Sequence, residues 1–221
     1  MDSRIEDEDG LLKDVSIYMF KVLVLGEAGV GKTSFVRRYV NGQFSENYKA
    51  TIGVDFSTKA VNWTEKDRVD IFLWDLAGQE RIRTQVQSMF RETHGAVFVY
   101  DITRSQESNN IEEWKELLDE KCTLRGEQYK CPCILLVNKC DLVEGIDIDQ
   151  IDAMAKSYGF IGAYPISVKV NFGIDDAMKA LLIQLIKAQR VQMAKSIPAL
   201  QEIDTVKLQS YKENKGSGCW C

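Results

Sequence analysis

At 221 residues and 45% hydrophobic content, the chain can bury one substantial core, so one folded domain with tails is expected. A formal net charge of −5 argues against a nucleic-acid partner, for which a basic face is needed. The opening residues are acidic (Glu6, Asp7, Glu8, Asp9) where a secretory leader would be basic and then apolar, and no apolar run is long enough to span a bilayer. Asp2 excludes N-myristoylation of a glycine, and a cytosolic setting is expected. In that reducing setting Cys122, Cys131, Cys133 and Cys140, which lack zinc-site spacing, read as ordinary thiols.

Residues 1–15 are polar and aperiodic and are predicted to be a flexible acidic extension. A first strand should then end at Leu25, and a helix should run from Gly31 to about Val40. Phe44 to Ile52 has no apolar period and reads as a loop. Val54–Trp63 and Arg68–Trp74 are strand-like on either side of Thr64–Asp67, which predicts an antiparallel hairpin. Beyond Gly95 strand and helix alternate. Strands are expected at 96–100, 133–137 and near 163–166, with helices over 108–121, 149–158 and 174–193. The short unbroken apolar runs suit strands buried on both faces. In the last helix Ala177, Met178, Leu181, Leu182, Leu185 and Ile186 form one stripe. The predicted architecture is an α/β domain over 16–195 with a mostly parallel six-stranded sheet, ligand loops at the carboxyl ends of the strands, and a flexible tail over 196–221.

The sharpest local signal is Gly26-Glu27-Ala28-Gly29-Val30-Gly31-Lys32-Thr33, which fits G-x-x-x-x-G-K-[ST] after an apolar strand. Its glycines let successive N–H groups face a phosphate, Lys32 can bridge the outer phosphates, and the Thr33 hydroxyl can ligate Mg²⁺. The first helical turn, including Ser34, adds its positive end. Asp75 closes a strand where such a protein holds the far side of the metal, followed by Gly78 and Gln79. Asn138-Lys139-Cys140-Asp141 follows another strand. Guanine offers two adjacent donors, N1–H and the 2-amino group, which one carboxylate accepts together. A buried Asp141 should therefore reject adenine by several powers of ten. Asn138 can bond N7 and tie neighbouring loops, and the Lys139 stem can lie along the base.

Together these motifs resemble a small GTPase of the Ras superfamily, within it the Rab family, from about Phe20 to Lys187. Thr51 and Ser167-Val168-Lys169 stand in the family's order. Ile52-Gly53-Val54-Asp55-Phe56, Trp74 and the Cys219-Trp220-Cys221 end point to Rab. The resemblance implies that Thr51 binds Mg²⁺ and senses the γ-phosphate, that Phe44 packs on guanine, and that Tyr48 lies near the phosphates. It implies an N–H from Gly78 to the γ-phosphate, Gln79 orienting the attacking water, and Val168 and Lys169 closing the base pocket with Ser167. Core packing for Phe44 and Val168 and solvated loop positions for Thr51 and Tyr48 are the structural alternatives.

The resemblance also implies a switch that cycles between GDP and GTP with Mg²⁺ as cofactor. Its partners would be an exchange factor, a GTPase-activating protein, a prenylation or GDI-type chaperone and effectors, and the protein would be a monomer. No arginine lies between Phe44 and Thr51, so unaided hydrolysis should be slow, on the order of 10⁻⁴ s⁻¹. The tail resembles one geranylgeranylated on Cys219 and Cys221, giving a membrane anchor of two chains. It is not C-a-a-X, because Gly218 stands where that motif needs cysteine. Asn62-Trp63, the helix bearing Trp114-Lys115 and the Asn138–Asp141 motif resemble the branch of lysosome-related organelles. That places the protein on the cytosolic face of endosomal, lysosome-related or phagosomal membranes, with a cytosolic pool. Ala28 replaces the usual Ser beside the γ-phosphate, a departure that bears on hydrolysis and its activation, while Ile82 replaces the usual Phe and Met89 an aromatic in the effector-facing switch region, so effector surfaces do not carry over directly.

Overall fold

The structure is a computed structural model that describes residues 2–6, 12–47, 49–78, 87–125 and 127–213, with side chains from 15 to 193 outside the gaps. Two units separate, Met1–Leu182 and Ile183–Cys221. In the first, the strands are β1 (Asp2–Glu6), β2 (Leu12–Leu25), β3 (Val54–Asn62), β4 (Asp67–Leu76), β5 (Gly95–Asp101), β6 (Thr123–Leu124), β7 (Glu127–Gln128), β8 (Cys133–Asn138) and β9 (Ala163–Pro165). The helices are α1 (Lys32–Asn41), α2 (Gln106–Asn109), α3 (Ile111–Lys121), α4 (Ile148–Ser157) and α5, which begins at Ile174.

The main sheet runs β3-β4-β2-β5-β8-β9, parallel except for the antiparallel β3–β4 pair. That is the α/β sandwich and the hairpin expected. Val22 to Leu25 are all fully buried, as are Val97 to Val99 and Ile134 to Val137, so helices cover both faces of the central strands. On one face Leu23, Leu25, Phe98, Tyr100 and Leu135 pack with Ile111, Trp114 and Leu118 of α3 and Ala155 of α4. In the sheet β2 is flanked by β4 on one side and β5 on the other. The loop at the carboxyl end of β2 therefore opens at the point where strand order reverses, where ligands bind in such sheets.

Three expectations are corrected. The amino-terminal extension contains a strand: β1 pairs antiparallel with the overhang of β2, from Asp2↔Ser16 to Glu6↔Leu12. Backbone pairing can order a polar segment that offers no apolar period. The helix expected over 108–121 breaks at Asn110, whose φ of 47° is the left-handed conformation that Asn tolerates. Finally, α5 continues through the second unit to Glu213, beyond the start of the expected tail at Ser196. Helix formers such as Ala199, Leu200, Glu202, Lys207 and Leu208 favour that course, and only Pro198 opposes it. The Cys219 and Cys221 expectation lies outside the described residues.

Candidate functional site: a nucleotide cavity with a phosphate end and a base end

A cavity of about 380 Å³ opens beside the carboxyl ends of β2 and β8. Ala28, Gly29, Gly31, Lys32, Thr33 and Ser34 line it at one end, Asn138, Lys139, Asp141, Val168 and Lys169 at the other, with Phe44, Thr51 and Gly78 along its walls. The fold thus brings together residues from five separated stretches of the sequence. Tyr48, Gln79 and Ile82 lie outside the described residues. Val30 is fully buried rather than lining the cavity, and Ser167 is buried behind it.

At the phosphate end, Lys32 is buried and its ammonium donates to the carbonyls of Gly26 and Glu27, both at 2.8 Å. Burial lowers its pKa to about 8, against the opposing pull of Asp75 and Glu27. A buried cation with only carbonyls as hydrogen-bond partners gains most from an anion. Gly78 lies so close that a Cβ there would come 2.5 Å from both the Ala28 nitrogen and Lys32 Nζ, which explains glycine at that position. Gly31, at φ 107°, faces Asn138 Nδ2 with no room for a side chain.

Thr33 Oγ1 donates to Asp75 Oδ2 and lies 2.6 Å from Thr51 Oγ1. Asp75 is buried, and its other oxygen, Oδ1, has no hydrogen-bond partner among the described residues. Burial raises its pKa to about 6, outweighing the Thr33 bond and the Lys32 charge. Two hydroxyls and one under-satisfied carboxylate are a hard oxygen set suited to Mg²⁺, which completes its shell with water and phosphate oxygens. Among the described residues no trio of His, Cys, Asp or Glu side chains gathers for a metal, so Thr33, Thr51 and Asp75 are the set that fits.

At the base end, Asn138 works as a tie. Its Nδ2 donates to Val30 O at 2.9 Å and its Oδ1 accepts from Val168 N at 3.2 Å, joining the phosphate loop to the Ser167 turn. The tying role expected of Asn138 is thus carried by Oδ1 and one of the two Nδ2 hydrogens. Asp141 is exposed rather than buried, and Ser167 Oγ donates to its Oδ1 at 2.5 Å. The penalty against the wrong base therefore operates only once a base covers the carboxylate.

Several working residues carried no motif. The buried Asp101 carboxylate bonds Lys139 Nζ at 2.5 Å and Thr103 Oγ1 at 2.6 Å, and pairs with Arg104 at 3.1 Å. Arg104 also donates to Ala28 O at 2.8 Å, while Lys139 approaches Gly29 O at 3.4 Å. The pKa of Asp101 is lowered, because bonds from Lys139 and Thr103 together outweigh desolvation. A charged residue ending an apolar strand was the only signal available for this hub.

The model of the Ras family matches residues 21–187. Human Ras-related protein Rab-7L1 is 43% identical over 172 residues, covering 77% of this chain and 84% of the relative. This chain belongs to the Rab family of Ras-type small GTPases. Pig Ras-related protein Rab-32 is 39% identical over 207 residues, 91% of this chain and 89% of its own length. Rab-32A of Dictyostelium discoideum is 39% identical over 173 residues, 77% and 79% respectively. These relatives group the chain with Rab-7L1 and Rab-32 within the family. Members of this family of vesicle trafficking hydrolyse GTP to GDP; in this chain the P-loop and the base motif line one cavity, with the acidic strand end bonded to Thr33 of that loop.

Proposed function

We propose that the protein is a membrane-anchored switch that holds GDP or GTP with Mg²⁺ in this cavity, hydrolyses GTP slowly, and recruits effectors while GTP is bound. One observation carries the reading: buried Lys32 and Thr33, whose hydroxyl is bonded to Asp75 behind it, share a cavity of about 380 Å³ with Asp141, so phosphates and a purine are served at opposite ends.

The geometry supports the following division of work. Lys32 and the N–H groups from Ala28 to Ser34 take the phosphates, neutralising charge as it moves to the leaving oxygen. Thr33 and Thr51 would hold Mg²⁺ directly and Asp75 through water, and the ion would supply further charge neutralisation between the outer phosphates. Gly78 sits within reach of a terminal phosphate, so its backbone and Thr51 can report whether that phosphate is present. Gln79 is assigned to orient the attacking water. Asp141 reads the guanine edge, Lys139 flanks the base, Phe44 covers it, and the Val168–Lys169 backbone faces its 6-oxo group. With no arginine between Phe44 and Thr51, the residue that completes charge neutralisation must come from an activating protein, so the chain acts as a timer.

The outward face of β3 and β4, with the loop residue Ile52 just before β3, supports the effector role. Ile52 is 92% exposed and Phe56 58%, and Phe56 meets Trp74 edge-on at 4.5 Å. Lipid on Cys219 and Cys221 would hold the switch on the cytosolic face of endosomal, lysosome-related or phagosomal membranes, with a chaperone maintaining a soluble monomeric pool. No helix among the described residues is long and apolar enough to cross a membrane. The deciding experiment is to denature the purified protein and identify the released nucleotide by ion-exchange chromatography. GDP or GTP is expected; an adenine nucleotide would overturn the base-reading role of Asp141.

A further inference from the structure

Arg38 stands outside every motif, yet its guanidinium makes three hydrogen bonds, all to backbone carbonyls. Nε donates to Val168 O at 3.0 Å, one terminal nitrogen to Lys169 O at 2.9 Å, and the other to Gly42 O at 2.7 Å. Its carbon lies 5.6 Å from the centre of the Phe44 ring. The backbone oxygen of Arg38 also accepts from Gly42 N at 2.9 Å, so main chain and side chain together fix the end of α1, with Gly42 left-handed at φ 68°. One residue therefore sets both the exit of the chain toward Phe44 and the position of the Val168–Lys169 loop. An ordinary cation at a helix end would need only the helix's own last carbonyls. Two of these three acceptors lie 130 and 131 residues away in sequence.

We propose that Arg38 is a specificity-determining positioning residue of the base end. By gripping the carbonyls of Val168 and Lys169 it fixes that turn so that the Lys169 N–H, rather than the Val168 N–H already taken by Asn138 Oδ1, is aimed at the 6-oxo group of a purine, and by bracketing Gly42 and Phe44 it sets the opposite wall of the same slot. The planar fork matters because three acceptors in fixed directions can be met at once, which an ammonium cannot do with the same geometry. Helix α1 begins at Lys32, so Arg38 stands about 9 Å further along one rigid rod from the phosphate loop. The phosphate and base ends are thereby held at a fixed spacing. The proposal rests on the guanine reading of the cavity.

The test compares dissociation of GDP with that of 6-thioguanosine diphosphate, which keeps N1–H and the 2-amino group but offers a poor acceptor at position 6. The expected result is that Arg38→Ala speeds GDP release about tenfold or more while speeding release of the thio analogue about threefold or less, the difference being the coupling between residue and 6-oxo group. Arg38→Lys keeps the charge, loses the fork, and should show the same inequality in weaker form; it also serves if Arg38→Ala does not fold. Equal acceleration of both nucleotides, or of neither, would overturn the proposal and leave Arg38 a helix cap. Wild-type protein that holds neither nucleotide would instead overturn the guanine pocket itself.

Discussion

Trp114 Nε1 donates a hydrogen bond to Glu27 Oε1 at 3.0 Å, joining the fully buried face of α3 to the second residue of the phosphate loop. The same Glu27 offers its carbonyl to Lys32 Nζ at 2.8 Å. A core tryptophan thus steadies the residue whose carbonyl the buried Lys32 ammonium leans on. Trp114→Phe keeps most of the ring burial and removes the donor. A bond to a carboxylate contributes about 1.5–3 kcal/mol. The GDP-bound variant should therefore melt about 3–10 °C lower and release GDP faster. Thermal melting and a nucleotide-release assay check this, and an unchanged variant would show that the bond contributes nothing.

Removing Mg²⁺ should release nucleotide, since Thr33, Thr51 and Asp75 converge on one point and Asp75 Oδ1 awaits a partner. Asp75→Asn loses the charge but nearly keeps the shape. Its Mg²⁺ requirement for retaining GDP should rise about 10–100-fold, the usual effect of losing a group that orients a metal's shell. Titrating Mg²⁺ against release of a fluorescent GDP analogue gives the midpoint. An unshifted midpoint would place the metal elsewhere.

Much of this site could be read from the chain because phosphate loops, strand-end carboxylates and base motifs use local backbone geometry that a short string of residues encodes. Lys32, Thr33, Asp75, Asn138 and Asp141 each announced themselves by their neighbours. Arg38, Asp101, Arg104 and Trp114 did not, since their partners lie 76 to 131 residues away in the contacts that matter, apart from Asp101, whose Lys139 partner is 38 away. The parallel sheet was legible for the same reason as the motifs: unbroken apolar runs admit burial on both faces. Strand β1 escaped because its ladder is made by backbone, to which polar side chains give no clue. The break at Asn110 escaped because one residue in a left-handed conformation leaves the apolar period nearly intact.

Loss of both terminal cysteines should move the protein from membrane to cytosol. One geranylgeranyl chain would leave partial, reversible binding, and two would give stable anchoring, because the tail sets Lys207, Lys212 and Lys215 against Glu202, Asp204 and Glu213 and has no basic patch to assist. Cell fractionation of Cys219→Ser, Cys221→Ser and the double variant should give a graded series. Persistent membrane association of the double variant would contradict the anchor.

The single histidine gives the fold a distinct acid response. His94 Nδ1 accepts from Lys21 N at 3.2 Å, and the His94 ring meets Phe20 edge-on, so the neutral form is built in. Burial lowers its pKa below 6.5, opposed by Glu92 and reinforced by Lys21 and Arg125. Because the unfolded chain takes up the proton first, the stability due to neutral His94 is fully present above pH 6.5 and is lost as pH falls through the folded pKa. His94→Asn offers an oxygen acceptor without titrating. Between pH 7 and 5, its melting temperature should fall less than that of the wild type. Parallel curves would show that His94 does not govern the response.

The exposed carboxylate of Asp141 yields the most specific outcome. Ser167 Oγ holds its Oδ1 at 2.5 Å, which fixes the plane of the carboxylate before any base arrives. Two acceptor oxygens then face the N1–H and 2-amino donors of guanine. Asp141→Asn replaces one acceptor by a donor, which clashes with one guanine donor and suits the 2-oxo group of xanthine. The preference should move toward xanthosine diphosphate by a factor on the order of 10⁴, the range in which unpaired polar groups at a closed site reject a ligand. Ser167→Ala leaves both oxygens in place but frees their plane, so it should weaken both nucleotides by about tenfold or less without changing their order. Competition binding with GDP and xanthosine diphosphate separates the two effects. If Asp141→Asn kept its guanine preference, the base edge would be read by some other group in the cavity, and the Ser167 contact would be packing of the turn alone.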